Sequence, residues 1–154
     1  MGIEIERKYL IYKDKWQPKD EGVSIRQGYL STDKERTVRV RTKGKKAYLT
    51  IKGENKGISR MEMEYEIPFE DATKLLDNLC HKPLIEKTRH IEEHLGHTWE
   101  IDVFFGDNEG LIVAEVELLS PTEEVKLPDW IDREVSDDKR YYNSSLCLKP
   151  YITW

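Results

Sequence analysis

The sequence predicts an α+β fold of about eight antiparallel strands with a few helices. Three observations predict it. Apolar and charged residues alternate with a period of two in one segment after another, which is the strand period. Short turns rich in Gly, Asn and Lys join these segments, where a parallel sheet would need crossover helices. Two stretches, 68–82 and 120–142, abandon the alternation.

The first strand is Ile3 to Ile11. Glu4, Glu6 and Lys8 fall on one face, and Ile3, Ile5, Arg7, Tyr9 and Ile11 fall on the other. Segment 23–30 is a weaker strand carrying Arg26. Thr37 to Arg41 sets Arg39 and Arg41 against Val38 and Val40, and Lys43-Gly44-Lys45-Lys46 then reads as a hairpin loop. Ala47 to Lys52 sets Tyr48, Thr50 and Lys52 against Ala47, Leu49 and Ile51. A longer loop, Gly53 to Gly57, leads to Arg60–Ile67, where Arg60, Glu62, Glu64 and Glu66 oppose Met61, Met63, Tyr65 and Ile67.

Ala72, Leu75, Leu76 and Leu79 follow helical spacing. Glu70 and Asp71 lie in the first turn, where the dipole favours acids, and Pro83 ends the helix. A second weak strand, 85–91, carries Lys87 and Arg89. Trp99 to Phe104 carries Glu100 and Asp102, Gly106 to Gly110 forms a loop, and Ile112 to Leu118 carries Glu115 and Glu117. Ser120-Pro121-Thr122-Glu123 has the form of a capping box with proline at the first helical position, which predicts a second helix. A third short helix is expected near Asp137–Asn143.

The 154 residues predict one domain spanning 1–154. Charged residues make up 36% of the chain, 25 basic against 30 acidic, for a net charge of −5. With 38% hydrophobic residues and a mean hydropathy of −0.72, no apolar run approaches a membrane span. The start of the chain lacks a basic, then apolar, leader pattern. Cys80 and Cys147 show neither metal-ligand nor disulfide-framework spacing. These features predict a cytoplasmic protein with no membrane partner. The acidic balance argues against a stable nucleic-acid partner.

The functional signal is segregation of charge sign. Glu4/Glu6, Glu62/Glu64 and Glu115/Glu117 are i, i+2 acid pairs, and Arg39/Arg41 and Lys87/Arg89 are the basic equivalents. Adjacent like charges on one strand face are destabilising, so each pair calls for a compensating partner. Metal cations would neutralise the acids, and a polyanion the bases. Two orientations satisfy the pattern. With charges outward, the sheet has an ordinary solvated face and needs no ligand. With charges inward, eight strands close around a wet channel, and apolar faces point outward against the helices.

Several blocks bear on this choice. Glu4-Ile5-Glu6-Arg7-Lys8 matches E-x-E-x-K. It is followed in order by Arg26 to Leu30, Val38 to Arg41, Thr50 to Gly53, Arg60 to Glu64, Lys87 to Arg89, Glu100 to Phe104, Ala114 to Leu118 and Glu134 to Asn143, with Ser136 in place of a more usual Thr. Over nearly its whole length the chain resembles the CYTH superfamily, the triphosphate tunnel metalloenzymes. The resemblance implies an eight-stranded antiparallel β-barrel with a charged interior and helices packed outside. It also implies binding of a linear triphosphate with Mg²⁺ or Mn²⁺.

On that resemblance Arg39, Arg41, Lys52, Lys87 and Arg89 suit phosphate oxygens, with Arg60 and Arg26 as further substrate contacts. Hard carboxylate oxygens suit the metal. Glu4, Glu6, Glu115 and Glu117 form the first metal cluster. Glu62, Glu64 and Asp102 complete a second position or hold the attacking water. Lys8 orients the terminal phosphoryl group or assists proton transfer, with Tyr29 as its hydrogen-bond partner. Glu66 and Glu100 fall at the tunnel rim.

The implied activity is metal-dependent hydrolysis of the terminal phosphoryl group of tripolyphosphate or a nucleoside triphosphate. The substrate is a small molecule, and the enzyme a monomer or homodimer. Adenylyl cyclase and thiamine triphosphatase are alternatives within the family, and a non-enzymatic polyphosphate-binding module is an alternative outside it. His90-Ile91-Glu92-Glu93-His94 has the letters of an inverted zinc-protease motif but continues a strand. Trp99, Trp130 and Trp154 are expected to pack rather than stack on bases.

Overall fold

The computed structural model describes residues 2–154. Among them nine strands and two α-helices follow in order: β1 (Ile3–Ile11), β2 (Val23–Ser31), β3 (Arg36–Lys43), β4 (Lys46–Gly53), β5 (Ser59–Ile67), α1 (Phe69–Asn78), β6 (Ile85–His94), β7 (His97–Phe104), β8 (Ile112–Glu117), β9 (Ile131–Glu134) and α2 (Asn143–Leu148). Neighbouring strands run β5-β4-β3-β2-β6-β7-β8-β1, and β1 returns to pair with β5. Eight antiparallel strands therefore close a barrel, which removes both sheet edges. β9 lies outside the ring, paired with β1.

The seam of the barrel is short. β1 meets β5 through Ile3–Met61, Glu4–Arg60 and Ile5–Ser59. Further along the same edge it pairs with β9 through Tyr9 and Ile11, with a register shift between them. Its other edge holds β8 from Glu6 to Leu10.

Register sets polar residue opposite polar residue around the ring. Glu6 lies opposite Glu117 and Lys8 opposite Glu115. Arg39 lies opposite Thr50, Lys52 opposite Glu62, and Arg89 opposite Asp102. Directly paired residues share a face, and here that face is the interior. The charges point inward and most alternate apolar residues point outward, whereas Tyr29, Ile85, Phe104 and Val113 share the inward parity of the charges.

The hydrophobic core forms three clusters, two on the outside of the barrel and one of inward-facing residues that closes one end of it. Trp99, Trp130, Trp16, Tyr9, Ile101 and Val116 form one, with Trp99 and Trp130 edge to face at 5.8 Å. Ile85, Phe104, Val113 and Tyr29 pack under Leu146 and Cys147 of α2. Ala72 and Leu76 of α1 cover Val40 and Ala47. A side chain at Gly28 would come within 2.8 Å of the Cys80 Cβ and 2.7 Å of Leu84, so only glycine lets the chain after α1 lie this close to β2.

Four expectations need correction. No helix forms at 120–130: the Glu123 carboxylate instead accepts the Leu119 N–H at 2.6 Å and contacts His97 at 2.6 Å. Pro128 also interrupts the segment. The third helix lies later than expected, as a 3-10 turn at Lys139–Tyr141 followed by α2. β9 was not anticipated, because four residues with a register shift beside them show no usable alternation. Leu79 follows the last turn of α1 and is exposed.

Candidate active site

The barrel encloses a cavity of about 210 Å³ whose wall carries eight Lys/Arg and seven Glu side chains. β1 supplies Glu4, Glu6 and Lys8; β3 supplies Arg39, Arg41 and Lys43; β5 supplies Arg60, Glu62 and Glu64. Lys52 comes from β4, Lys87 and Arg89 from β6, Glu100 from β7, and Glu115 and Glu117 from β8. Period-two alternation explains each of these placements.

The acids form two pairs, each bridged by a lysine. In the first, the Lys8 ammonium donates to Glu115 at 2.9 Å and to Glu6 at 3.2 Å. Burial, then the Glu115 carboxylate, push the Glu6 acid up to about 8, and it hydrogen-bonds to Glu115. Burial would raise Glu115 too, but Lys8 outweighs it and holds that carboxyl far below the usual range. Burial works against the charge on Lys8, yet Glu115 and Glu6 overcome it, so Lys8 stays protonated.

In the second pair, the Lys52 ammonium donates to both Glu4 oxygens at 2.9 and 3.1 Å and lies 3.3 Å from Glu62. Glu62 is raised by burial and by Glu4. Glu4 is lowered, since Lys52 overcomes its burial. Two carboxylates that share a site cannot both ionise freely, so in each pair one acid is raised while its lysine-held partner is lowered.

The opposite wall is cationic. Glu64 accepts from Thr50 at 2.7 Å and lies 3.4 Å from Arg39 and 3.7 Å from Arg41. These contacts outweigh its burial and keep it ionised. Burial and neighbouring Arg39 lower Arg41 to about 10. The Nε atoms of Arg39 and Arg41 are buried without a hydrogen-bond partner. Arg60 donates to the Gly53 carbonyl at 3.1 Å.

Asp102 lies behind this wall, 1% exposed. It takes a two-pronged contact from Arg89 at 2.8 and 2.9 Å and a third from Lys87 at 2.8 Å. Arg89 and Lys87 overcome its burial and lower it to about 2. Burial, reinforced by repulsion from the Arg89 guanidinium, lowers Lys87 to about 8 despite Asp102. Asn143 at the start of α2 accepts from Lys87 and from Gln27, both at 3.0 Å, and so ties the C-terminal segment to the tunnel wall.

The structure therefore gathers Lys8, Tyr29, Arg39, Arg41, Lys52, Arg60, Lys87, Arg89, Glu4, Glu6, Glu62, Glu64, Glu115 and Glu117 on one cavity wall. It places two expected residues elsewhere. Arg26 points outward and pairs with Asp77 of α1 at 3.0 Å, since Gln27 and Tyr29 occupy the inward parity of β2. Asp102 is not part of the wall, because it is consumed as the counter-ion of Arg89 and Lys87. Two further expectations change. Lys8 contacts Glu6 and Glu115, whereas the Tyr29 hydroxyl meets Gln27 at 3.4 Å. Glu100 lies on the wall, and Glu66 does not.

Sequence reasoning missed Lys43, Thr50, Ser136 and Asn143. Lys43 was legible as the next i+2 step after Arg39 and Arg41. Asn143 and Ser136 carried no signal, because they arrive from the irregular C-terminal segment.

Among the described residues, no three His, Cys, Asp or Glu side chains already stand as a ready metal cage. The donor set nevertheless fits a divalent cation. Each glutamate pair offers hard oxygens, has one acid raised by burial and by its neighbour, and is held by a lysine that a stronger cation can displace. The inverted zinc motif fails: it lies on β6, and His90 contacts Asp20 at 2.7 Å on the outside.

A CYTH domain model matches residues 2–145. An inorganic triphosphatase of Acetivibrio thermocellus is 50% identical over 151 residues, 98% of this chain and 97% of that protein. An inorganic triphosphatase of Nitrosomonas europaea is 37% identical over 153 residues, 94% of this chain and 97% of that protein. The crystal structure of an inorganic triphosphatase matches with a TM-score of 0.67 at 34% identity over 95% of both chains. A tunnel with inward-facing acids and bases, matched along nearly its full length by these relatives, places the chain in the CYTH-domain family.

Proposed function

We propose that this chain is a divalent-metal-dependent triphosphatase that releases the terminal phosphoryl group of inorganic tripolyphosphate, using Mg²⁺ or Mn²⁺. The observation that carries this reading is the balance of charge in the closed tunnel: eight cations face seven glutamates, with Asp102 as the eighth acid. A triphosphate adds four to five negative charges, so about two divalent cations restore neutrality. The relatives' name, inorganic triphosphatase, agrees.

Arg39, Arg41, Lys52, Arg60, Lys87 and Arg89 bind and orient the phosphate chain, the arginines as forks and the lysines as point charges. The Glu6/Glu115 pair with Glu117, and the Glu4/Glu62 pair, suit the cations. A bound cation supplies charge neutralisation at the phosphate oxygens and polarises water. Lys8, held protonated, acts as a fixed charge at the terminal phosphoryl group and not as a base. Glu62 also suits holding the attacking water as a hydrogen-bond acceptor. Positioning and electrostatics supply the rate enhancement.

The cavity, about 210 Å³, lies below the usual range of small-molecule pockets. It fits an inorganic chain better than a nucleotide, whose base would need an apolar slot. The test offers purified protein tripolyphosphate, ATP and thiamine triphosphate with Mg²⁺ or Mn²⁺. Orthophosphate released fastest from tripolyphosphate is the expected result. Cyclic AMP from ATP, or binding without turnover, overturns the assignment.

A further inference from the structure

Inside the tunnel, one hydrogen-bond donor is held in a fixed direction and has no protein acceptor. Asn143 begins α2, and its side chain lines the cavity. Its amide oxygen accepts from the Lys87 ammonium and from the Gln27 amide, both at 3.0 Å. An ammonium only donates, so Lys87 by itself fixes which atom of the Asn143 amide faces the wall. The Nδ2 amino group is therefore turned away from both neighbours. Among the described residues it donates to no protein group, and it is not one of the buried polar atoms without a partner. It is open to the cavity. Lys8, Lys52 and Lys87 differ, since their ammonium groups already hold carboxylates. A phosphate oxygen that reaches Asn143 displaces no protein contact.

Strand register gives the depth of this donor. Lys87 lies opposite Phe104, with its ammonium 5.4 Å from the centre of that ring, and Gln27 lies opposite Ile85. Phe104 and Ile85 belong to the apolar cluster that closes this end of the barrel, together with Leu146 and Cys147 of α2. Asn143 stands on the cavity side of that closure. A phosphate chain cannot run past it, so only an end phosphoryl group reaches this depth.

We infer that Asn143 is a substrate contact, whose Nδ2 amino group donates to the end phosphoryl group of the phosphate chain at the closed end of the tunnel. The inference rests on the triphosphatase reading for the identity of its ligand. A neutral amide suits the position. It makes a charge-assisted hydrogen bond to an anionic oxygen without placing a further cation beside Lys87 and Arg89, which already repel each other.

Titration calorimetry with Mg²⁺ and imidotriphosphate, whose nitrogen bridges resist hydrolysis, is the test. Asn143→Ala should weaken binding about tenfold or more, the usual effect of removing a hydrogen bond to a charged group. The same substitution in a Lys87→Met background separates contact from positioning. Gln27 still holds the amide oxygen there, so a direct contact predicts a similar further loss. Asn143→Asp keeps the oxygen that Lys87 and Gln27 need and removes the donor. It should fold, as read by circular dichroism, and bind at least as weakly as the alanine variant. Unchanged affinity in either single variant overturns the inference, as does an alanine effect that disappears without Lys87. So does a wild-type chain that does not bind the analogue. Orthophosphate release from tripolyphosphate is measured alongside. Wild-type binding without release overturns the triphosphatase reading and leaves the Asn143 contact standing.

Discussion

The backbone N–H of Lys8 donates to the Ser136 hydroxyl at 2.9 Å, and that hydroxyl donates in turn to Glu134 at 2.6 Å. This contact occupies the gap where β1 leaves β5 and has not yet met β9. A strand N–H there would otherwise lack a partner. Glu6 and Lys8, the inward residues of that stretch, owe their position to it.

Replacing Ser136 by alanine should therefore act through position. We expect kcat for tripolyphosphate to fall about tenfold with little change in KM, the usual size of a supporting-contact loss. Ser136→Thr, which keeps the hydroxyl, should restore turnover. An alanine variant with wild-type kcat would show that the contact is incidental.

Asp102 neutralises two buried cations, so Asp102→Ala leaves Arg89 and Lys87 unpaired. Removing one partner of a buried ion pair costs about 3–5 kcal/mol, a drop in Tm of roughly 10 °C for a chain of this size. Added tripolyphosphate should recover more Tm in the variant than in the wild type, because it supplies the missing negative charge. Equal ligand shifts in the two proteins would argue against this.

Lys87 is lowered to about 8 by burial. Its charged form, to which the proposed mechanism assigns phosphate binding, is lost as pH rises through that value. At saturating metal, kcat/KM should fall on the alkaline side with an apparent pKa near 8. Lys87→Arg should move that limb out of range, since arginine does not deprotonate there. A limb left in place by the arginine variant assigns it to another group.

Glu6 is raised to about 8 from an ordinary 4.5. In the metal-free protein its ionisation therefore opposes folding: the penalty grows as pH rises above 4.5 and is complete above about 8. Glu6→Gln should melt higher than wild type in chelator at pH 9, by a few degrees, and the difference should vanish near pH 4.5. The same variant should lose turnover. A Tm difference that does not change with pH would contradict the raised acidity.

Much of the site was legible because parity is local. Glu62 and Glu64 share a strand face whatever surrounds them, and so do Arg39 and Arg41. Arg26 illustrates the limit: Gln27 and Tyr29 held the inward parity of β2, but neither is charged, so the one cation drew attention. Asp102 fails differently. Its face was predicted correctly, but its neighbours Lys87 and Arg89 reach it only through β6–β7 register.

Alternation and charge sign alone determined that this chain forms a sheet with one ionised face, and which side chains share that face. Only the tertiary structure decided that the face closes inward, that Glu4 pairs with Glu62 and Glu6 with Glu115, and that Asn143 and Ser136 join them. The reason is physical. Side-chain parity follows from the geometry of a single strand, whereas register, closure and the path of the C-terminal segment depend on contacts between residues far apart in the chain.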